Sequence, residues 1–178
     1  RLDNRNKEIF FAVLVGLIGT VDKELGALAT SCLHHRGPDD HGVWTSTRGI
    51  PVTLTNTRLS IIDLSPAGHM PMTTDDESIA IAYNGEVYNF AEIRMELERK
   101  GYSFRSNSDT EVVLEAYREW GYAFVTRLRG MFAFMIWDSK RQRLFAARDR
   151  MGIKSLYWAE TSLGLALASE LKAFVETD

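Results

Sequence analysis

"GMFAFMIWDSKRQRLFAARD", residues 130–149, is the stretch on which the fold turns. Apolar side chains recur with a period of two on either side of the polar residues 139–142, so it reads as a hairpin of two long strands. Just upstream the period is helical. Ser108-x-x-Glu111 has the form of a capping box opening a helix to about Trp120, with Val112, Val113, Ala116 and Tyr117 on its inner face. Asn89-x-x-Glu92 opens another, to about Lys100, with Phe90, Ile93 and Leu97 on one side and Gly101 as its stop. Further back, 9–21 reads as a buried strand and 22–34 as a helix with Leu25, Leu28 and Leu33 inward. Short strands follow at 42–46, 51–56 and 59–64. The alternating run 78–84 ends in Asn84-Gly85, a dipeptide suited to a tight hairpin turn. Beyond the 130–149 hairpin, 155–160 and 163–169 are strands again. Strands, then helices, then strands make an α+β pattern. Antiparallel sheets are covered by helices, and apolar strands on both sides of the helical segment imply two stacked sheets.

The chain has 178 residues, 45% of them apolar and 25% charged, which is the composition of one soluble globular domain with a substantial core. A net charge of −3 gives no ground for a nucleic-acid partner. Cys32 is the sole cysteine, so no intrachain disulfide can form and no Cys-based metal site is expected. It falls in an expected helix with no activating base and reads as a small buried hydrophobe. His34, His35 and His41 surround Asp39 and Asp40, but their spacing matches no zinc pattern, and no metal is expected. The opening residues loosely resemble a signal peptide. Gly16, Gly19 and Thr20 interrupt the apolar run, it is too short to span a bilayer, and no cleavage motif follows, so a strand is the better reading and no membrane partner is expected. A reducing, cytoplasmic setting fits. The chain does not begin with Met, as a fragment or processed product would not.

Several residues carry chemistry, each with a bland alternative. Asn84-Gly85 offers a side-chain amide beside a backbone N–H, a pair that can hold an oxyanion, or it is an ordinary turn. Asp109 follows a Ser cap. It is either a partner for a substrate ammonium or a first-turn acid favoured by the helix dipole. Arg58 can grip a carboxylate with its planar fork, or it is a common ion-paired arginine. Glu86 is a further acid at the same place, or a solvated hairpin residue. Together they point to one kind of ligand. Arg58 for a carboxylate, Asp109 for an ammonium and Asn84-Gly85 for an oxyanion would hold an amino acid whose side-chain carbonyl is attacked.

"HRGPDDHGVW", "RLSIIDLSPAGHMPM", "YNGEVYN", "SDTE", "RLRGMFAFMIWD", "RLFAARDRMGIK" and "ASELKA" occur in an order and spacing that resemble the N-terminal glutamine amidotransferase (type 2) domain of asparagine synthetase (glutamine-hydrolysing). The likeness runs from Gly16 to Ala173 and favours that branch over amidophosphoribosyltransferase or glucosamine-phosphate synthase. It implies the four-layer αββα sandwich of the N-terminal-nucleophile (Ntn) hydrolases. It also implies glutamine hydrolysis through a thioester, with ammonia passed to an ATP-dependent domain that adenylates aspartate. Under the resemblance Arg58 is the glutamine carboxylate ligand, Asn84 and Gly85 form the oxyanion hole, and Glu86 and Asp109 are further glutamine contacts, Asp109 to the α-amino group. No cofactor is implied for this domain, ATP and Mg belonging to the synthetase domain. The expected partners are glutamine and a synthetase domain or subunit, and a homodimer is allowed.

The resemblance also locates a loss. The family's domain opens with a cysteine ahead of Gly, two apolar residues and Gly. Here "GLIGTVD" fits that segment, and the position before it is Val15, with fourteen residues preceding. Both the thiolate and the terminal amine that serves as its base are missing. Cys32 has no terminal amine and cannot replace them. The expected organisation is therefore an extension over 1–15, foreign if a coding segment was misjoined, and an amidotransferase-like domain over 16–178, with the synthetase domain and its pyrophosphate loop absent. Such a chain should not hydrolyse glutamine at a useful rate, yet its clamp residues remain. The alternative is a catalytically inactive module kept for binding or scaffolding, as in relatives such as β-lactam synthetase that resemble it in lacking the nucleophile.

Overall fold

The computed structural model describes residues 12–31, 39–58, 65–162 and 164–175. The first sheet contains five antiparallel strands in the order β2-β3-β1-β9-β8: β1 (Val13–Ile18), β2 (Asp40–Ser46), β3 (Val52–Arg58), β8 (Tyr157–Thr161) and β9 (Gly164–Ala168). The second has four, in the order β4-β5-β6-β7: β4 (Met72–Thr73), β5 (Ile79–Val87), β6 (Gly130–Asp138) and β7 (Arg143–Arg148). Helices α1 (Lys23–Ser31) and α4 (Lys172–Val175) lie on the outer side of the first sheet, and α2 (Phe90–Arg99) and α3 (Asp109–Trp120) on the outer side of the second. The result is the four-layer αββα sandwich.

Period-two patterning puts a different core on each face of the second sheet. Ala80, Ala82, Ala133, Met135 and Trp137 face the first sheet and pack with Leu14, Leu54 and Leu167. Ile81, Tyr83, Phe132, Phe134 and Ile136 face the helices and pack with Ile93, Leu97, Val112, Val113 and Tyr117. Leu97, fully buried, ties α2 to this core, and shortening it to Ala would cost about 2–5 kcal/mol. The inner faces expected for α2 and α3 are thus observed, Phe90 being partly buried. Gly101, at φ +93°, ends α2 in the left-handed region that glycine tolerates.

Four expectations are corrected. Asn84-Gly85 is not a turn. β5 runs straight through it, Asn84 opposite Ala133 and Gly85 opposite Phe132. A turn there would strip the first half of β6 of its partner, so nine residues of ladder override a two-residue preference. Second, Asn89 starts α2 but makes no cap bond. Its side chain joins the Arg127 carbonyl to the Arg129 N–H instead, bracing the 3-10 stretch Gly121–Arg127. Third, Ser108 does cap α3 through the Thr110 N–H, but Glu111 turns away and accepts from the Arg105 and Ser106 N–H groups. Fourth, α1 rests on β3 through Gly26, where a Cβ would lie 2.9 Å from the Thr53 and Thr55 methyls, leaving Leu28 49% exposed. Cys32, Leu33, His34 and His35, and the strand expected at 59–64, lie outside the described residues.

Candidate active site

β4 is two residues long and pairs only with Ala80 and Ile81, so among the described residues the rest of that edge of β5 has no neighbouring strand. Three N–H groups point off this edge in alternation: those of Tyr83, Gly85 and Val87. The first donates to Asn56 Oδ1 at 2.8 Å, which links the two sheets. The third donates to Asp109 Oδ2 at 2.9 Å, which links α3 to β5. Gly85 stands between them. Its opposite number, Phe132, turns both backbone groups the other way, donating to Asp149 Oδ2 at 3.3 Å and accepting from the Asp149 N–H at 2.7 Å. The Gly85 N–H therefore points outward, and it has no protein partner among the described residues. Only glycine fits there: a Cβ would fall on the Met131 carbonyl and 2.6 Å from Phe132 Cα.

Asp109 is 4% exposed at the first position of α3. Its Oδ2 also accepts from the Tyr83 hydroxyl at 2.6 Å. Burial pushes its carboxyl above the ordinary carboxylate range, and the nearby charge of Glu86 pushes the same way. The Tyr83 hydroxyl and the N–H groups of Val87 and Thr110 oppose this without cancelling it. The Tyr83 phenol is pushed well up, first by burial and then by Asp109. A buried carboxyl held high beside a second acid is a site that a cation would relieve.

Arg58 ends β3 on the same face as Asn56, so the contact of Asn56 with Tyr83 brings Arg58 to this end of the sandwich. It is 7% exposed, and its Nη1 donates to the Ser65 carbonyl at 3.3 Å. Asn84 is buried on the face of β5 turned to the first sheet, following Ala80 and Ala82. Glu86 shares that face and is half-buried. Asn84, Gly85, Glu86 and Asp109 thus meet along one edge, with Arg58 beyond Asn56.

Val15 does not join them. Its side chain packs with Val13, Ala168 and Ala173 on the helix-covered face of the first sheet, opposite the face that Leu14 turns toward β5. The strand does not begin at Val15 either. Val13 donates to Thr57 Oγ1 at 3.1 Å, and Leu14 pairs in both directions with Ser169.

Sequence reasoning missed Asn56 and Tyr83. A signal for Asn56 existed: it interrupts the β-branched run "VTLTNTR", where asparagine is disfavoured unless its amide has a partner. Tyr83 carried none, since a buried tyrosine fits any core. Among the described residues no group of three His, Cys, Asp or Glu side chains could hold a metal, and no helix is long and apolar enough to cross a membrane.

Residues 13–178 match the family model described as a glutamine amidotransferase domain. The chain belongs to that family. It is 45% identical over 141 residues to the amidase chry2 of Gibberella zeae, covering 79% of this chain and 21% of that protein. It is 38% identical over 172 residues to asparagine synthetase [glutamine-hydrolyzing] 3 of Bacillus subtilis, covering 91% of this chain and 27% of that one. The chain thus spans well under a third of these curated relatives. Among solved structures, the glutamine phosphoribosylpyrophosphate amidotransferase of B. subtilis superposes with a TM-score of 0.76 at 19% identity, over 92% of this chain and 43% of the other. That likeness shows the fold, the Ntn sandwich expected above.

Proposed function

We propose that this amidotransferase domain binds L-glutamine and, with valine at the nucleophile position, does not hydrolyse it. The observation that carries the reading is the Gly85 N–H, open between two neighbours already taken, with the raised carboxyl of Asp109 beside it. The assignment by position is Asp109 and Glu86 to the α-ammonium, Arg58 to the α-carboxylate, and Asn84 with Gly85 to the side-chain carbonyl oxygen. An oxyanion hole typically contributes about 3 kcal/mol per donor to the transition state, but without a nucleophile only a residual rate remains. The names of the relatives support asparagine synthesis as the setting. In that family the domain passes ammonia to an ATP- and Mg-dependent synthetase domain, a supply this chain would not itself provide.

Titration calorimetry with L-glutamine, beside a glutaminase assay, tests this. Saturable heat with no glutamate release is expected, and absence of binding overturns the proposal. A second experiment removes residues 1–14 and makes Val15→Cys. The remaining strand keeps Gly16 opposite Leu54 and Leu167, and the new terminal residue is free to turn about its ψ. Glutaminase activity in this variant would show that the nucleophile alone is missing.

The burial of Val15 among Val13, Ala168 and Ala173 favours a second reading, an inactive binding or scaffolding module. There the extended β1 is part of the core, and the truncated Val15→Cys chain would lose stability and gain no activity.

A further inference from the structure

Residues 65–70 cross the head of Arg58, and the proposed function gives most of them no role. Arg58 Nη1 donates to the Ser65 carbonyl. The 3-10 turn Pro66–Gly68 then lays Gly68 on the guanidinium so closely that a Cβ would intrude on Nη2. His69 follows and turns back to β2. Its Nδ1 lies 2.8 Å from Asp40 Oδ2, and Asp40 stands directly opposite Arg58 in the β2–β3 ladder. The other Asp40 oxygen accepts from the His41 N–H at 2.8 Å, which fixes the carboxylate on its own strand. The ring sits over Gly42, where a Cβ would stand 2.7 Å from Nε2. The segment is thus a strap, fastened at one end by Arg58 itself and at the other by the His69–Asp40 pair.

An arginine grips a carboxylate well only when its fork is held at one angle, and its long stem otherwise offers many. We propose that the His69–Asp40 pair is a latch that holds the strap down and so positions Arg58 for an α-carboxylate. His69 and Asp40 are positioning residues: they act on the ligand through Arg58. One arm of the test rests on the glutamine reading, and the other does not.

The first arm compares two ligands by calorimetry: L-glutamine and 4-aminobutanamide, which keeps the amine and the amide but lacks the carboxylate. His69→Ala should weaken L-glutamine about tenfold, the loss of one charge-assisted contact, and leave 4-aminobutanamide unchanged. Asp40→Ala should do the same, and His69→Asn, with a side-chain nitrogen near the place of Nδ1, should restore most of the affinity. Equal losses for both ligands, or no loss for glutamine, overturn the latch.

The second arm needs no glutamine. Phenylglyoxal labels arginine, and Arg58 is nearly buried under the strap. Its labelling, read by peptide mass spectrometry, should rise about tenfold in His69→Ala and in Asp40→Ala if the strap lifts once its fastening contact is lost. The melting temperature should be kept, since the His69 side chain is exposed and that of Asp40 is only partly buried. An unchanged labelling rate overturns the latch. A wild-type chain that binds no glutamine would sink the proposed function instead, and the labelling result would then decide the latch alone.

Discussion

Two buried aspartates take backbone N–H groups from opposite edges of the β5–β6 pair, and they are held in opposite ways. Asp149, just after β7, accepts four: Oδ2 from Phe132 and Lys154, Oδ1 from Met151 and Ile153, at 3.0–3.3 Å. Burial would raise its carboxyl, but those four donors hold it below the ordinary range. Asp109 accepts from the Val87 N–H and the Tyr83 hydroxyl, both on Oδ2, with the Thr110 N–H as a further donor, and burial still leaves its carboxyl raised. The register that sets Gly85 opposite Phe132 connects the two, because Phe132 commits its backbone to Asp149 and frees the Gly85 N–H to face outward. A carboxylate saturated with donors belongs to the fold. A carboxylate left short of them, at an edge with an open donor beside it, is suited to an incoming ammonium.

The contrast breaks first if Asp149 is not structural. Asp149→Ala leaves four N–H groups without their acceptor, two of them buried, and should cost about 3–5 kcal/mol in urea denaturation. The pH dependence has a definite sign. A carboxyl lower in the folded than in the unfolded chain stabilises above the unfolded pKa, about 3.9, and that contribution is lost as pH falls through the folded value. Asp149→Asn should therefore flatten the acid side of the stability profile. A stability loss below about 1 kcal/mol, the size of a single ordinary hydrogen bond, would remove Asp149 from the comparison.

Asp109 should behave the other way round. Asp109→Asn keeps the shape and one acceptor but removes the charge, so glutamine affinity should fall about a hundredfold while stability changes by no more than about 1 kcal/mol. Because the folded carboxyl is raised, the native chain binds more protons than the unfolded one between the unfolded and folded pKa values. This contribution to stability is present below that window and lost as pH rises through it, opposite in sign to Asp149. An ammonium ligand requires the ionised form. Affinity should thus drop as pH falls through the raised pKa, by up to about tenfold per unit, in wild type but not in Asp109→Asn. Pairing of the two variants' profiles measures the comparison directly, and a pH-independent affinity would break it.

The layers of the fold were legible because their signals are long. The period-two run at 130–149 and the apolar faces of α2 and α3 each repeat over many residues, and the observed strands and helices follow them. Short signals fared worse. Asn84-Gly85 reads as a turn in isolation, and Asn89-x-x-Glu92 reads as a capping box; both were overridden by partners far away in sequence, β6 in one case and residues 127–129 in the other. The same long-range pairing made the site. No local rule places Asn56 against Tyr83, or the Asp149 loop against Phe132, so the open Gly85 N–H was not readable even though its residue was. Position alone also set Val15 at the nucleophile, while the alternation of β1 turns its side chain to the other face of the sheet.

The smallest expected effect tests what holds Asp109 in place. Ser108 Oγ accepts from the Thr110 N–H at 3.0 Å, an ordinary cap whose loss in Ser108→Ala should cost about 1 kcal/mol. Asp109 follows directly, so the cap and the charge are easily confused as one device. The bonds of Asp109 say otherwise: Tyr83 and Val87, both on β5, fix its carboxylate without Ser108. Ser108→Ala should therefore lower the denaturation midpoint yet leave glutamine affinity within about twofold, less than about half a kcal/mol. A tenfold loss of affinity with that small loss of stability would mean that the α3 terminus, rather than the open edge of β5, aims the carboxylate. The under-satisfied aspartate would then be a property of the helix end, and its contrast with Asp149 would lose the common edge-of-sheet origin on which it rests.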